Sequence, residues 1–160
     1  MKKLLAAALL LCAFCCPAAY AEPAEPAGDD AAAVAQIDTL VKAFQAAIVA
    51  RDRTALEAMF LPADNSWLAV ASDGIRLKPG QPRVRPSTYL KFTEFVGTSK
   101  LPVEERFHNV RIHSNGSIGT VYFDFEFIED GKVNNKGAES WHLVKTEGGW
   151  KISSMVYSIG

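Results

Sequence analysis

Apolar positions follow two different periods along this chain, and the change falls near residue 100. Val34, Ile37, Leu40, Val41, Phe44 and Ile48 recur three and four residues apart, which predicts one amphipathic helix over roughly residues 31 to 50. Asp29 and Asp30 stand where acids favour a helix N-terminus. Asp52 or Thr54 can cap a second helix, with Thr54 and Glu57 spaced as a capping box and Leu56, Met59 and Phe60 on its apolar side. Pro62 and Asp64-Asn65-Ser66 end it. Trp67 to Ala71, closed by Asp73-Gly74, reads as a short buried strand. Ser87 can cap a third helix that carries Tyr89, Phe92, Phe95 and Val96 on one side, with Gly97 as its stop.

Beyond that point the period drops to two. Phe107 to His113, Ile118 to Ile128, Gly137 to Thr146 and Trp150 to Ile159 are β-rich runs separated by Asn115-Gly116, Asp130-Gly131 and Gly148-Gly149. These dipeptides are hairpin signals, so the runs predict a four-stranded antiparallel meander. Helices first and strands afterwards predict an α+β fold, three N-terminal helices packed on a strongly curved antiparallel sheet.

Strand side chains change face at every residue. Val121, Phe123, Phe125 and Phe127 therefore face the helices, and Asp124 and Glu126 face out as surface charges rather than as a catalytic pair. Glu139 shares the inward face with Trp141 and is the one meander carboxylate that this alternation turns inward. A carboxylate buried beside aromatics has a raised pKa and can act as acid or base near neutrality, which makes Glu139 the candidate catalytic group. The last strand is apolar on both sides, with Met155, Tyr157 and Ile159 toward the helices and Trp150, Ile152 and Val156 away from them. That predicts a cover on the outer face, a second subunit in a homodimer.

The N-terminus adds a destination. Lys2 and Lys3, the apolar run Leu4 to Cys16 and the ending Ala19-Tyr20-Ala21 have the layout of a signal peptide over residues 1–21. A Pro/Ala-rich leader, residues 22–30, is read as disordered, and residues 31–160 form the single domain. The apolar run is shorter than the roughly 20 residues a membrane span needs, so the expected location is periplasmic or secreted, with no membrane association after cleavage. An uncleaved anchor, or lipidation at Cys12, Cys15 or Cys16, remains the alternative, although Leu11, Phe14 and Cys15 precede those cysteines where a lipoprotein signal wants a small residue.

Cleavage removes all three cysteines, which excludes a thiol nucleophile, a disulfide framework and a cysteine metal site. It also removes two lysines, making the formal net charge of −1 two units more negative. Nothing in that balance predicts a nucleic-acid partner. Arg76, Lys78, Arg83 and Arg85 read as a solvated basic loop, with an anion-binding lip as the alternative. His108, His113 and His142 lack the spacing of a metal site, and neither a phosphate loop nor a nucleophile elbow occurs, so no metal or cofactor is expected.

The order helix, helix, strand, helix, meander, ending in Trp141-His142-Leu143-Val144-Lys145-Thr146-Glu147-Gly148-Gly149-Trp150-Lys151-Ile152, resembles the nuclear transport factor 2-like superfamily, and within it the secreted SnoaL-like proteins. The resemblance implies a cone in which the sheet wraps the helices and leaves a pocket for small apolar ligands at its wide end. It also implies what is missing. Where ketosteroid isomerases of the superfamily carry their tyrosine and aspartates, this chain has Phe44, Trp141 and a carboxylate-free strand Trp67 to Ala71. Where kinase association domains point arginines into the cone, it has Phe123, Trp141 and Tyr157.

An aromatic-lined pocket is therefore expected from Phe44, Trp67, Phe123, Phe125, Trp141, Met155 and Tyr157, suited to neutral, flat molecules over carboxylates. Three functional readings stay open: an exported binding or accessory module for a small apolar or aromatic ligand, a small lyase or isomerase using Glu139, and an assembly module whose cone is filled with core.

Overall fold

Asp30 begins the first helix by supplying the acceptor that its opening turn lacks. Its side chain accepts from the Ala33 N–H, and α1 runs Ala31–Ala50 with Ala33, Ile37, Val41, Phe44, Ala47 and Ile48 buried. The computed structural model describes residues 28–62 and 65–160; the signal peptide, the cysteines and the leader up to Ala27 lie outside the described residues. Asp29 and Asp30, assigned to the leader, are tied to the sheet: the Asp30 N–H donates to the Ser114 carbonyl at 2.7 Å, and the Asp29 carboxylate accepts from the Ser114 N–H at 2.9 Å. Among the described residues α1 is the one helix long and apolar enough to cross a membrane. Its apolar stripe packs on the sheet, as a core helix does.

The second helix, α2 (Arg53–Ala58), is capped by Asp52 rather than Thr54, and Glu57 turns away from a capping box to bond Arg53 and Thr93. The third, α3 (Tyr89–Thr98), is capped by Thr88 rather than Ser87 and runs through Gly97 instead of stopping there. Gly97 has a packing reason: a Cβ there would lie 2.8 Å from the Arg53 Cβ, so its bare backbone lets α2 and α3 close together.

Six strands follow the order β2-β1-β6-β5-β4-β3. They are β1 (Ser66–Ala71), β2 (Val84–Pro86), β3 (Val103–Ser114), β4 (Ile118–Glu129), β5 (Lys132–Thr146) and β6 (Gly149–Ile159). The last four form the expected antiparallel meander. The sheet as a whole is mixed, because β1 runs parallel to β6. The segment read as a basic loop, or alternatively an anion-binding lip, contributes β2, an exposed edge strand antiparallel to β1.

Three register shifts bend the meander. Asn109 and Val110 on β3 oppose Phe123, Asn134 is the extra residue on β5, and Ser153 is the extra residue on β6. Bulges of this kind sharpen twist and curl a sheet. The one on β6 also overturns the expected faces of that strand. Each bulge residue reverses the alternation downstream, so Trp150 and Ile152 point inward with Met155, and only Val156 stays outside. Ile152 is fully buried, and the chain after α2 pairs beside it through a parallel bridge at Phe60. Of the outer row that predicted a second subunit, Val156 remains, with Tyr122 exposed on the same row of the sheet.

Gly137 on β5 lies against the Ser158 backbone of β6. A Cβ there would collide with the Ser158 carbonyl oxygen, so Gly137→Ala forces the two backbones apart. The expected loss is about 2–4 kcal/mol of unfolding free energy in a urea titration; a change under about 0.5 kcal/mol would show that the strands have room there.

Candidate functional site

The narrow part of the cone is solid. Trp141, Phe123 and Phe44 are fully buried, with Phe44 to Trp141 ring centroids 4.8 Å apart and Phe123 to Trp141 5.1 Å. Phe107 closes the cluster, 4.0 Å from Phe123. Phe123 and Trp141, both expected in the pocket, belong to this filled core and do not line the cavity.

Toward the other end the side chains part and leave a cavity of about 200 Å³. Phe44 of α1 and Met155 of β6 form its floor; Trp67 of β1, Phe92 of α3, and Phe125 and Phe127 of β4 supply ring faces and edges. Phe95, 43% exposed, and the bulged Asn134 stand at the rim. Of the sequence candidates, Phe44, Trp67, Phe125, Met155, Tyr157 and Glu139 meet here. Trp67 stacks obliquely on Phe92 at 5.3 Å and meets Tyr157 edge-on at 6.2 Å.

Two carboxyls project into this aromatic wall. Glu139 on β5 is 5% exposed, and its Oε1 accepts from the Trp141 indole Nε1–H at 2.5 Å. Glu105 on β3 is 6% exposed, lines the same cavity, and its carboxyl has no hydrogen-bond partner among the described residues. Glu139 is thus not the one inward carboxylate of the meander. Glu105 was missed because β3 was started at Phe107, whereas it begins at Val103. The signal was present: Glu105 lies two residues before Phe107 and shares its face.

Burial dominates the electrostatics. It pushes the Glu139 carboxyl up to about 8, against a smaller downward pull from the Trp141 hydrogen bond. Burial, and then the charge of Glu139, drive Glu105 well above the usual carboxylate range. Both are pushed toward the protonated form, since ionising either leaves a charge against aromatic rings and ionising both sets like charges together. Burial likewise raises the Tyr157 phenol, the first of several influences on it. Asn135, also on the wall, has a buried Oδ1 with no partner among the described residues. No lysine, arginine or histidine is among the described residues that line the cavity.

Solved structures share this architecture. A nuclear transport factor 2-like protein of unknown function from Pseudomonas putida KT2440 superposes with a TM-score of 0.65 at 15% identity, covering 82% of this chain and 89% of its own. The chain has the nuclear transport factor 2-like fold. A second such protein of unknown function, from Silicibacter pomeroyi DSS-3, gives 0.55 at 18% identity over 79% of this chain and 95% of its own. A cystatin-like fold protein of unknown function from Nostoc punctiforme PCC 73102 gives 0.59 at 14% identity, covering 84% and 96%. No protein-family model matches the chain, and no curated protein matches it. At these identities the likeness establishes the fold, and the chemistry has to come from the cavity itself.

Proposed function

We propose that this chain is an exported binding domain of the nuclear transport factor 2-like fold that holds one small, flat, largely apolar molecule, and not an anion, in its cone. The observation that carries the reading is the cavity: about 200 Å³ of space walled by aromatic rings, with two carboxyls that burial pushes toward the protonated form and no cation among the described lining residues. An anion entering it would lose its hydration and meet no fixed positive charge. Export rests on the signal-like pattern of residues 1–21.

Trp67 is the reporter, because it lines the cavity while Trp141 and Trp150 sit in the packed core. In a fluorescence screen of the secreted form, uncharged aromatic compounds should shift the Trp67 emission, and isosteric carboxylates should bind at least about tenfold more weakly. Trp67→Phe should remove the signal while calorimetry still detects the ligand. Silence from every compound would mean a closed cone, and a preference for acids would reverse the reading.

The paired carboxyls favour one second reading, a lyase or isomerase in which Glu139 moves a proton, since an acid with a pKa of about 8 exchanges protons near neutrality. Under that reading Glu139→Gln abolishes turnover of a compound that the variant still binds.

A further inference from the structure

An aromatic pocket for a purely apolar ligand has no use for Glu105. The residue is more than nine-tenths buried and lines the cavity, and its carboxyl has no hydrogen-bond partner among the described residues. Glu139 directs one oxygen to Trp141, and its other oxygen has no partner among the described residues. Each carboxyl is desolvated by burial and has at most one hydrogen bond among the described residues, which destabilises the empty protein. A ligand that satisfies both must bring several donors to one point.

Resting on the reading of the cavity as a ligand pocket, we propose that the ligand is a primary amine on a small aromatic or aliphatic body, its ammonium held between Glu105 and Glu139 and its body against Trp67, Phe92 and Phe125. An ammonium carries three N–H donors in a compact head, enough for both carboxyls. The surrounding ring faces are themselves attractive to a cation, most strongly when water is excluded. The cavity is below the roughly 300–1,000 Å³ of sites for drug-sized ligands, so one ring with a short amine arm is the right scale.

The proposal has a proton signature. The titratable groups on the cavity wall are Glu105 from β3, Glu139 from β5 and Tyr157 from β6, with Arg85 of β2 acting on the Tyr157 phenol. The residues of α1, α3, β1 and β4 on the wall carry no titratable group. Tyr157 stays neutral, so seating an ammonium at pH 7 ionises a carboxyl, and its proton leaves to solvent. A neutral carbonyl compound, which would accept hydrogen bonds from the protonated acids, releases none.

The experiment is calorimetry of the secreted form with 2-phenylethylamine and its uncharged counterpart 2-phenylethanol, at pH 7 in two buffers of different ionisation enthalpy. The amine should bind at least about tenfold tighter than the alcohol and release about one proton per molecule bound. Glu105→Gln and Glu139→Gln should each weaken the amine by about tenfold or more while moving the alcohol less than about threefold. If the alcohol binds as well as the amine, or the amine binds with no proton released, the amine proposal is wrong and the pocket reading stands. If neither compound binds and the uncharged aromatic screen is also silent, both fall. Should a glutamine variant fail to fold, proton release by the unmutated protein still decides.

Discussion

Glu139→Gln is expected to make the empty protein more stable, and the gain should grow with pH. An unfolded glutamate titrates near 4.5, whereas Glu139 in the fold titrates near 8. Between those values the native state holds a proton that the unfolded state has lost, so stability falls as pH rises, by about 1.4 kcal/mol per pH unit for one group. By pH 8 the accumulated cost is on the order of 3–5 kcal/mol, and an amide, neutral at every pH, does not incur it. Below pH 4.5 both states are protonated and the advantage vanishes. Glu105→Gln should act in the same direction, and the two gains should not add, because the charge of Glu139 is part of what raises Glu105. Urea unfolding of the ligand-free protein at pH 5 and pH 8 measures this. A variant that gains nothing at pH 8, or gains more at pH 5, would mean that these carboxyls are solvated in the folded protein.

Ile152→Glu should unfold the domain. The side chain is fully buried on the inner side of β6, in one core with Phe60, Trp150 and Met155. Placing a carboxylate there removes a core side chain and buries an unpaired charge, together at least about 4 kcal/mol, comparable with the whole stability of a small domain. Val156→Glu, four residues along at a position 37% exposed, should cost less than about 1 kcal/mol. Circular dichroism melts of the two variants test the face assignment directly. A well-folded Ile152→Glu protein of reduced oligomeric mass would restore the outer-face reading and remove the bulge at Ser153.

These two predictions come from the two places where periodic reading of the sequence and the structure part. Alternation along β4 placed Val121, Phe123, Phe125 and Phe127 correctly because the extra residues sit on the neighbouring strands β3 and β5 and none is inserted into β4 itself. The same rule applied across β6 failed because Ser153 inserts one residue, and a parity argument cannot survive an uncounted insertion. Glu105 was lost for a different reason. Val103-Glu104-Glu105-Arg106 is too charged to read as strand, and it is held as one by pairing with Ile128 to Glu129 and Phe127 on β4 rather than by its own propensity.

What the sequence determined by itself is everything that depends on local period and turn chemistry: α1 over Ala31–Ala50, three hairpins, the α+β order and the aromatic inward face. Those features are written in near-neighbour sterics and hydrogen bonding, which act within a few residues. Whether the aromatic face is core or pocket was left to tertiary structure. Trp141 and Glu139 share one strand face two residues apart, yet one is in the filled core and the other at a cavity wall. The deciding quantity is how far the bulges curl the sheet away from α1 and α3, a sum of bends over three strands. No single stretch of sequence contains it, because close packing balances volumes contributed by residues as far apart in the chain as Phe44 and Trp141.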